Sequence, residues 1–558
     1  MPTNLICNFM LHKRISLLII ALIVLSFNLN AQEEDKGFEL SKNLEIFSSV
    51  YKNLHLNYVD DINPGELMKT AIDAMLAKLD PYTNYIPESD IEDVKLQLMG
   101  QYGGIGALIH QQDGKVVISE PYEGLPAYKA GLRAGDIILE VNGQNAINKN
   151  SDQVREFLRG QAGSDIKIKV NRNGKEIEKS FKREEITLQN LPYYGMLKND
   201  IGYIKLTEFT KDAANNVLNA FRDLKKTSNN SIKGLILDLR GNGGGLLTDA
   251  VGIVNIFVDK GQNIVSTKGK ITEKNQTFKT MYPATDLDIP IVVLVDNFSA
   301  SASEIVAGSL QDLDRAIVMG QRTFGKGLVQ NIIPLTYNAQ MKVTVSKYYI
   351  PSGRCIQAID YSHRDADGKA SKVPDSLKTA FKTKGGRIVY DGFGIEPDIE
   401  IKPEYASPLT IAIITKFHAF NFASEFVRNN PTIPSAKDFK ITDQIYNQFI
   451  DYLKDKDYSY STITERMLKE LEETSNKEKY SDDIAKTIEE LKAKIEKDKK
   501  NDLIKFKDDI KEILLSEIVV RYYNQKGRIE SLLQIDKEVD KAINLLSNPT
   551  EYNKILGK

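Results

Sequence analysis

The sequence predicts a multidomain α+β chain in which an α/β core carries an inserted β-rich module and is flanked by helical regions at both ends. Three observations predict it. Residues 188–403 alternate unbroken apolar runs with segments of helical period, residues 101–184 hold short strand patterns around one clear helix, and both flanks, 36–100 and 408–558, repeat apolar residues at helical spacing. With 558 residues, 41% of them apolar and 27% charged, the chain can bury several cores, which excludes a wholly disordered or fibrous protein.

The N-terminal flank reads as helix from Phe38 to about Leu98, through Leu40, Leu44, Phe47, Val50, Tyr51 and Leu54 and later Ala71, Met75 and Leu79, with Pro81 stopping a helix at a turn. The β-rich module follows with strands at Lys115–Ser119, Asp136–Val141 and Asp165–Val170, a helix at Ser151–Leu158, and an Asn173-Gly174 hairpin turn before Lys175–Phe181. In the core, strands are predicted at Ile201–Leu206, Gly234–Leu239, Ile291–Val295 and Ala316–Met319. Helices are predicted at Ala213–Lys225, Leu247–Phe257 and Ser303–Leu310. Apolar runs without alternation imply strands covered by helices on both faces. Beyond Ser407 the chain turns helical and strongly charged, with a well-solvated face.

Lys plus Arg (74) nearly balances Asp plus Glu (76), which leaves no basic excess to bind nucleic acid. Lys13 and Arg14 precede a 13-residue apolar run, Ile15–Phe27, so residues 1–31 read as an export signal too short for an ordinary membrane span. Cleavage after Ala31 would put Leu29 where a small residue is preferred, so an uncleaved N-terminal anchor stays open. Either way the body is expected outside the cytoplasm, periplasmic or anchored to the inner membrane facing the periplasm. Cys7 lies in the signal, and Cys355 is then left alone, so no internal disulfide is expected. His12, His55, His110, His363 and His418 show no metal-ligand spacing, and neither a metal nor another cofactor is expected.

Three stretches of the core carry chemistry. Val295–Ile305, rich in serine, follows an apolar strand and opens a helix. A hydroxyl there projects from the end of the sheet, beside first-turn amides and a dipole that favour developing negative charge; the plain alternative is helix capping. Gly320–Gln330 sets Lys326 between Gly325 and Gly327, where a bent backbone can take the amine into a partly buried site that favours its neutral form. A surface turn is the plain alternative. This stretch also satisfies GxxxxGK, but position 327 is Gly rather than Ser or Thr, and Leu328–Ile333 looks like a strand, so a phosphate loop is disfavoured. Asp238–Gly245 follows a buried strand with glycines whose amides can line an anion hollow, or simply make a flexible turn.

Taken together, Ser299-Ala300-Ser301-Ala302-Ser303-Glu304, Gly325-Lys326-Gly327 with Lys326 25 residues after Ser301, Leu239-Arg240 with the glycine run, and Leu79-Asp80-Pro81-Tyr82-Thr83 resemble the C-terminal processing, or tail-specific, serine peptidases over residues 40–403. The resemblance implies a Ser/Lys peptidase with Ser301 as nucleophile, Lys326 as general base and Gln330 holding the lysine. It further implies an oxyanion hole from the Ala302 amide and one of the glycines, Gly243 or Gly244 among them, with Asp312 either supporting the site or lying on a helix surface. The inserted module resembles a PDZ domain through Tyr102-Gly103-Gly104-Ile105-Gly106 and Pro126–Asp136, which implies capture of a peptide C-terminus by the Gly103, Gly104, Ile105 and Gly106 loop. Expected partners are proteins or peptides with apolar C-termini; a homo-oligomer or an adaptor partner stays open. Asp391–Asp398 resembles the closing segment of the catalytic region. The rival expectation is a catalytically inactive PDZ adaptor that only binds tails.

Overall fold

The computed structural model describes residues 37–91, 101–187, 189–365, 367–479 and 481–558. The expected export signal, and the end of the expected N-terminal helical stretch at 92–100, lie outside them. Of the described residues, those from 37 to 85 form one compact unit and those from 86 onward another.

In the first unit a helix over 37–57 precedes the helix Pro64–Leu76. Asn63 caps the second helix and Pro64 opens it with its φ already set. The Tyr51 hydroxyl donates to the Pro64 carbonyl at 2.7 Å and joins the two. Asp80 then organises the turn: its carboxylate accepts the Tyr82 and Thr83 amides, both at 2.8 Å, and the Thr83 hydroxyl at 3.1 Å.

The second unit begins with the β-rich module. Its antiparallel sheet runs in the order Ala107–Gln112, Lys115–Pro121, Ile137–Val141, Asp165–Arg172, Lys175–Lys182, so Ala107–Gln112 lies at an edge. Val116, Ile118, Ile138, Ile166, Ile168 and Val170 supply the core under the helix Ser151–Leu158. Positive φ at both Asn173 and Gly174 makes the expected hairpin turn.

The α/β core follows as a six-stranded sheet in the order Tyr193–Met196, Ile201–Lys205, Gly234–Asp238, Ile291–Val295, Ile317–Gly320, Ile399–Glu400, parallel except for its first pair. Gly234–Asp238 and Ile291–Val295 are buried along their whole length, which explains their unbroken apolar runs. The helices Ala213–Thr227, Leu247–Phe257 and Ala302–Asp312 cover one face. The other face is covered from the far end of the chain, by Lys537–Leu546 and Pro549–Leu556. The Tyr552 hydroxyl there accepts the Ile291 amide at 2.8 Å and donates to the Ile291 carbonyl at 3.0 Å. A second sheet, containing Leu328–Pro334, Gln340–Tyr349, Asn263–Gly269 and Gln276–Lys279, stands beside the core.

The helices Pro408–Thr415, His418–Asn429, Asp443–Leu453 and Lys507–Leu532 share a further apolar core. This helical region packs on the β-rich module: His110 stacks on Phe417 with ring centroids 4.2 Å apart, and Arg528 donates to Glu120 at 3.0 Å.

Candidate functional site

Three neighbouring parallel strands, Gly234–Asp238, Ile291–Val295 and Ile317–Gly320, end on the same edge of the sheet, and the three chemistry-bearing stretches are the loops that leave them. In parallel α/β sheets this carboxyl edge is where loops can converge on a ligand.

Ser301 sits at the N-terminus of the helix Ala302–Asp312 with φ 57° and ψ −111°, a backbone state that costs a non-glycine residue about 1–3 kcal/mol. Hydrogen bonds hold it there. Its amide donates to Glu304 Oε2 at 2.8 Å, and its carbonyl accepts the Ile305 amide at 3.0 Å and the Tyr348 hydroxyl at 3.1 Å. The preceding Ala300 amide donates to the Asn242 carbonyl at 3.0 Å. The amide of Ala302, by contrast, donates to no other described residue.

The glycine loop lies directly against Ser301. A Cβ on Gly244 would come within 2.8 Å of the Ser301 Cβ and 2.7 Å of the Ala300 carbonyl oxygen, at a φ of 103° that disfavours side chains anyway. Asn242 shapes this loop: its Oδ1 accepts the Gly244 amide at 2.9 Å and its Nδ2 donates to the Leu206 carbonyl at 2.9 Å. The Gly243 amide donates to no described residue. Just upstream, burial alone would raise the Asp238 carboxyl, but Lys205 and Arg240 hold it well below the carboxylate range.

Lys326 is half-buried and reaches the same place through the same groups. Its amide donates to Glu304 Oε2 at 2.9 Å, and its carbonyl accepts the Tyr348 hydroxyl at 2.8 Å. Glu304, fully buried, also accepts the Gly325 amide at 2.8 Å and the Thr323 hydroxyl at 2.5 Å on Oε1. Burial raises the Glu304 carboxyl above its ordinary value, opposed by the Thr323 hydroxyl and the three amides. Gly325 is required by its φ of 87° and by the Ala358 Cβ, which an added Cβ would meet at 2.3 Å. Gln357 Oε1 accepts the Gly327 amide at 2.8 Å.

The remaining residues singled out by the sequence fall elsewhere. Gln330 lies on the strand Leu328–Pro334, four residues past Lys326, and its side-chain amide donates to Thr344 Oγ1 at 3.2 Å. Asp312 is at the opposite end of the helix that Ser301 begins, about 16 Å along it at 1.5 Å per residue, buried against Arg354 at 2.9 Å and accepting the Ser352 amide at 3.0 Å. Glu304, Tyr348, Asn242 and Gln357 are the residues that sequence reasoning left without a role. Glu304 and Asn242 stood in stretches already singled out; Tyr348 and Gln357 bond to backbone groups far away in sequence, so no local pattern marks them.

In the β-rich module, Gly103 and Gly104 belong to the strand Gln101–Gly104, paired with Glu184–Thr187. The Ile105 and Gly106 carbonyls accept the Ala127 and Tyr122 amides, whereas the Ile105 and Gly106 amides donate to no described residue. A groove runs from this loop between the edge strand Ala107–Gln112 and the helix Ser151–Leu158, floored by Ile105, Ile109 and Leu158. Among the described residues no cluster of three His, Cys, Asp or Glu side chains could hold a metal.

Residues 200–362 match the model of peptidase family S41, residues 117–172 a PDZ domain, and residues 409–546 the domain described as "Probable PDZ-protease, C-terminal helical domain". A carboxy-terminal-processing protease of Bartonella bacilliformis is 34% identical over 342 residues, 61% of this chain and 77% of that protein. A "Probable CtpA-like serine protease" of Staphylococcus aureus is 36% identical over 317 residues, 56% of this chain; the match spans 62% of the staphylococcal protein, less than two thirds. Among solved structures, a photosystem II D1 C-terminal processing protease aligns at 26% identity over 64% of this chain and 87% of that one, with a TM-score of 0.35.

Proposed function

Since this chain belongs to the carboxy-terminal-processing proteases of peptidase family S41, we propose that it is an endopeptidase that takes protein C-termini into its PDZ module and cleaves upstream through an acyl-enzyme on Ser301. The observation that carries this reading is the shared support of two loops. One carboxylate oxygen of Glu304 accepts both the Ser301 and the Lys326 amides, and the Tyr348 hydroxyl shares its one proton between their carbonyls, 2.8 Å from that of Lys326 and 3.1 Å from that of Ser301.

In this mechanism the Ser301 hydroxyl attacks the scissile carbonyl while the neutral Lys326 amine accepts its proton. The tetrahedral oxyanion is received by the Ala302 amide and, because the Gly244 amide is engaged by Asn242, by that of Gly243. Lys326 returns the proton to the leaving amine as the C–N bond breaks. Water then attacks the ester, again giving its proton to Lys326, and the acid is released as Ser301 recovers its hydrogen. Gln330, on the strand that leaves the lysine loop, steadies that loop through Thr344. Asp312 supports from a distance, by fixing the Ser352–Arg354 turn.

In the PDZ module, the Ile105 and Gly106 amides receive the terminal carboxylate and the edge strand Ala107–Gln112 takes the tail as an added strand. The apolar groove floor favours an apolar last residue. Lys13, Arg14 and the apolar run Ile15–Phe27 support export to the periplasm. Among the described residues no helix is long and apolar enough to cross a membrane.

The test is intact-mass analysis of an unfolded protein with an apolar C-terminus, incubated with the full chain and with its Ser301→Ala and Lys326→Ala variants. Wild type is expected to shorten the substrate and both variants to leave it whole. Cleavage by Ser301→Ala would reject the nucleophile. Equal inertness of all three across a range of pH would favour a tail-binding adaptor.

A further inference from the structure

We propose that Arg155 makes the groove selective for substrate tails bearing an acidic side chain two residues before the C-terminus. This deepens the tail-capture reading above and rests on it.

The groove is apolar at its floor and cationic along one wall. Arg155, Leu158 and Arg159 follow one another at i, i+3 and i+4 on the helix side, so all three share the face that looks onto the edge strand. The Arg159 guanidinium lies over the Tyr102 ring, 5.8 Å from its centroid, beside the carboxylate loop. No acidic side chain lines the groove among the described residues. Burial raises the Tyr102 phenol while the charges of Arg159 and then Arg155 oppose it, so both cations act on the groove interior.

Spacing assigns Arg155 to one substrate position. A peptide added to Ala107–Gln112 with its carboxylate at the Ile105 and Gly106 amides is extended, and alternate side chains point to the same side. The last residue and the one two before it therefore both face the helix, about 6.6 Å apart along the strand. Arg155 precedes Leu158 by three residues, about 4.5 Å along the helix axis, and the reach of its long side chain covers the difference. With the last side chain over Leu158, the side chain two before it meets Arg155. The guanidinium is held meanwhile by Asp152 at 2.5 Å, an i, i+3 pair with side chains 47% and 77% exposed, which costs little to open.

The experiment measures binding of fluorescent peptides to the full chain carrying Ser301→Ala, which cannot consume them in the proposed mechanism. The peptides share an apolar last residue and differ two places before it: Glu, Gln or Lys. A fourth repeats the Glu peptide with an amidated C-terminus. The expected order is Glu over Gln over Lys, with Glu and Lys separated on the order of two- to five-fold at low salt and converging at high salt. In the double variant Ser301→Ala, Arg155→Glu the order reverses toward Lys, a gain that misfolding could not produce. Equal binding of Glu and Lys peptides, with the amidated peptide still weak, overturns the Arg155 assignment and leaves tail capture standing. A Glu preference that survives Arg155→Glu also overturns it. An amidated peptide that binds as well as its free acid removes tail capture, and this inference with it.

Discussion

Glu304 Oε2 lies 2.8 Å from the Ser301 amide and 2.9 Å from the Lys326 amide, so a single buried carboxylate oxygen sets the backbone of both residues. All its partners donate: three amides and the Thr323 hydroxyl, which itself accepts the Ile395 amide at 2.6 Å. Only an ionised carboxylate offers acceptors to all four. Glu304→Gln places an N–H against one of these donors and pushes the loops apart. A displacement near 1 Å costs about 100-fold in rate, so kcat is expected to fall by about that factor with KM little changed. The KM and kcat split on a short peptide checks it, because loss of folded enzyme alone would lower apparent kcat in proportion to the loss of native circular dichroism.

Acid should inactivate the enzyme before it unfolds it. Burial raises the Glu304 carboxyl, so in the folded chain it takes up its proton at a higher pH than a free glutamate, whose value is about 4.3. A group that binds its proton more tightly in the folded state stabilises the fold as pH falls through its folded pKa, so this protonation does not itself drive unfolding. It does remove an acceptor from the clamp. The expected outcome is an acid limb in kcat above the ordinary carboxylate range, with far-UV circular dichroism unchanged across it. An acid limb that coincides with unfolding would remove Glu304 as its cause.

Tyr348 gives a milder test of the same support. Burial, with Glu304 nearby, pushes its phenol well above the usual value, so it remains a donor at working pH. Tyr348→Phe keeps the ring and withdraws the shared hydroxyl from the Ser301 and Lys326 carbonyls. The Ser301 carbonyl retains the Ile305 amide. The change should cost about 1 kcal/mol of stability and about 10-fold in kcat, read by thermal denaturation and steady-state kinetics on one preparation.

Gly325→Ala should be far harsher than its size suggests. The new methyl would meet Ala358 Cβ at 2.3 Å, at a φ that strains any side chain. The lysine loop must shift, and loss of activity beyond 100-fold is expected, together with a lower melting temperature. Gly261→Ala, also at positive φ but with no atom within 4 Å of the new methyl, separates backbone strain from the clash and should leave activity near wild type.

How far the sequence led can be seen element by element. The helices Ser151–Leu158 and Leu247–Phe257 and the strand Ile291–Val295 are found at their expected bounds, because burial on every side, or on one clear stripe, writes itself into local periodicity. Covering helices on both sheet faces were legible as a need, but not their source. The helices that fill the second face come from residues 537–556, more than 200 residues after the strand they cover, and nothing local announces that pairing. In the site, Ser301 and Lys326 were legible as a motif, whereas the Tyr348 hydroxyl and the Asn242 side-chain amide, which donates to the Leu206 carbonyl, act on backbone groups that only the folded chain brings near. Asp312 left two expectations open, and its burial against Arg354 excludes the surface one.

The C-terminal helices should matter for catalysis as well as for stability, through Asp536 and Arg240. Asp536 caps the helix Lys537–Leu546 by accepting the Glu538 and Val539 amides at 2.9 and 3.0 Å, while its other oxygen accepts Arg240 at 2.8 Å. Arg240 immediately precedes the glycine loop that lies against Ser301, and Asp238 and Glu538 hold its remaining donors. Asp536→Ala removes the cap, worth about 1 kcal/mol, and one of the three carboxylates that fix the guanidinium. Asp536→Asn keeps a capping oxygen and loses the charge. If the contact only stabilises the fold, Asp536→Asn should lower the melting temperature slightly and leave kcat of the folded enzyme untouched. We expect instead that kcat falls several-fold in both variants, because the loop carrying Gly243 and Gly244 loses part of the anchor that sets its distance from Ser301. Steady-state kinetics well below the melting temperature of each variant decides between the two.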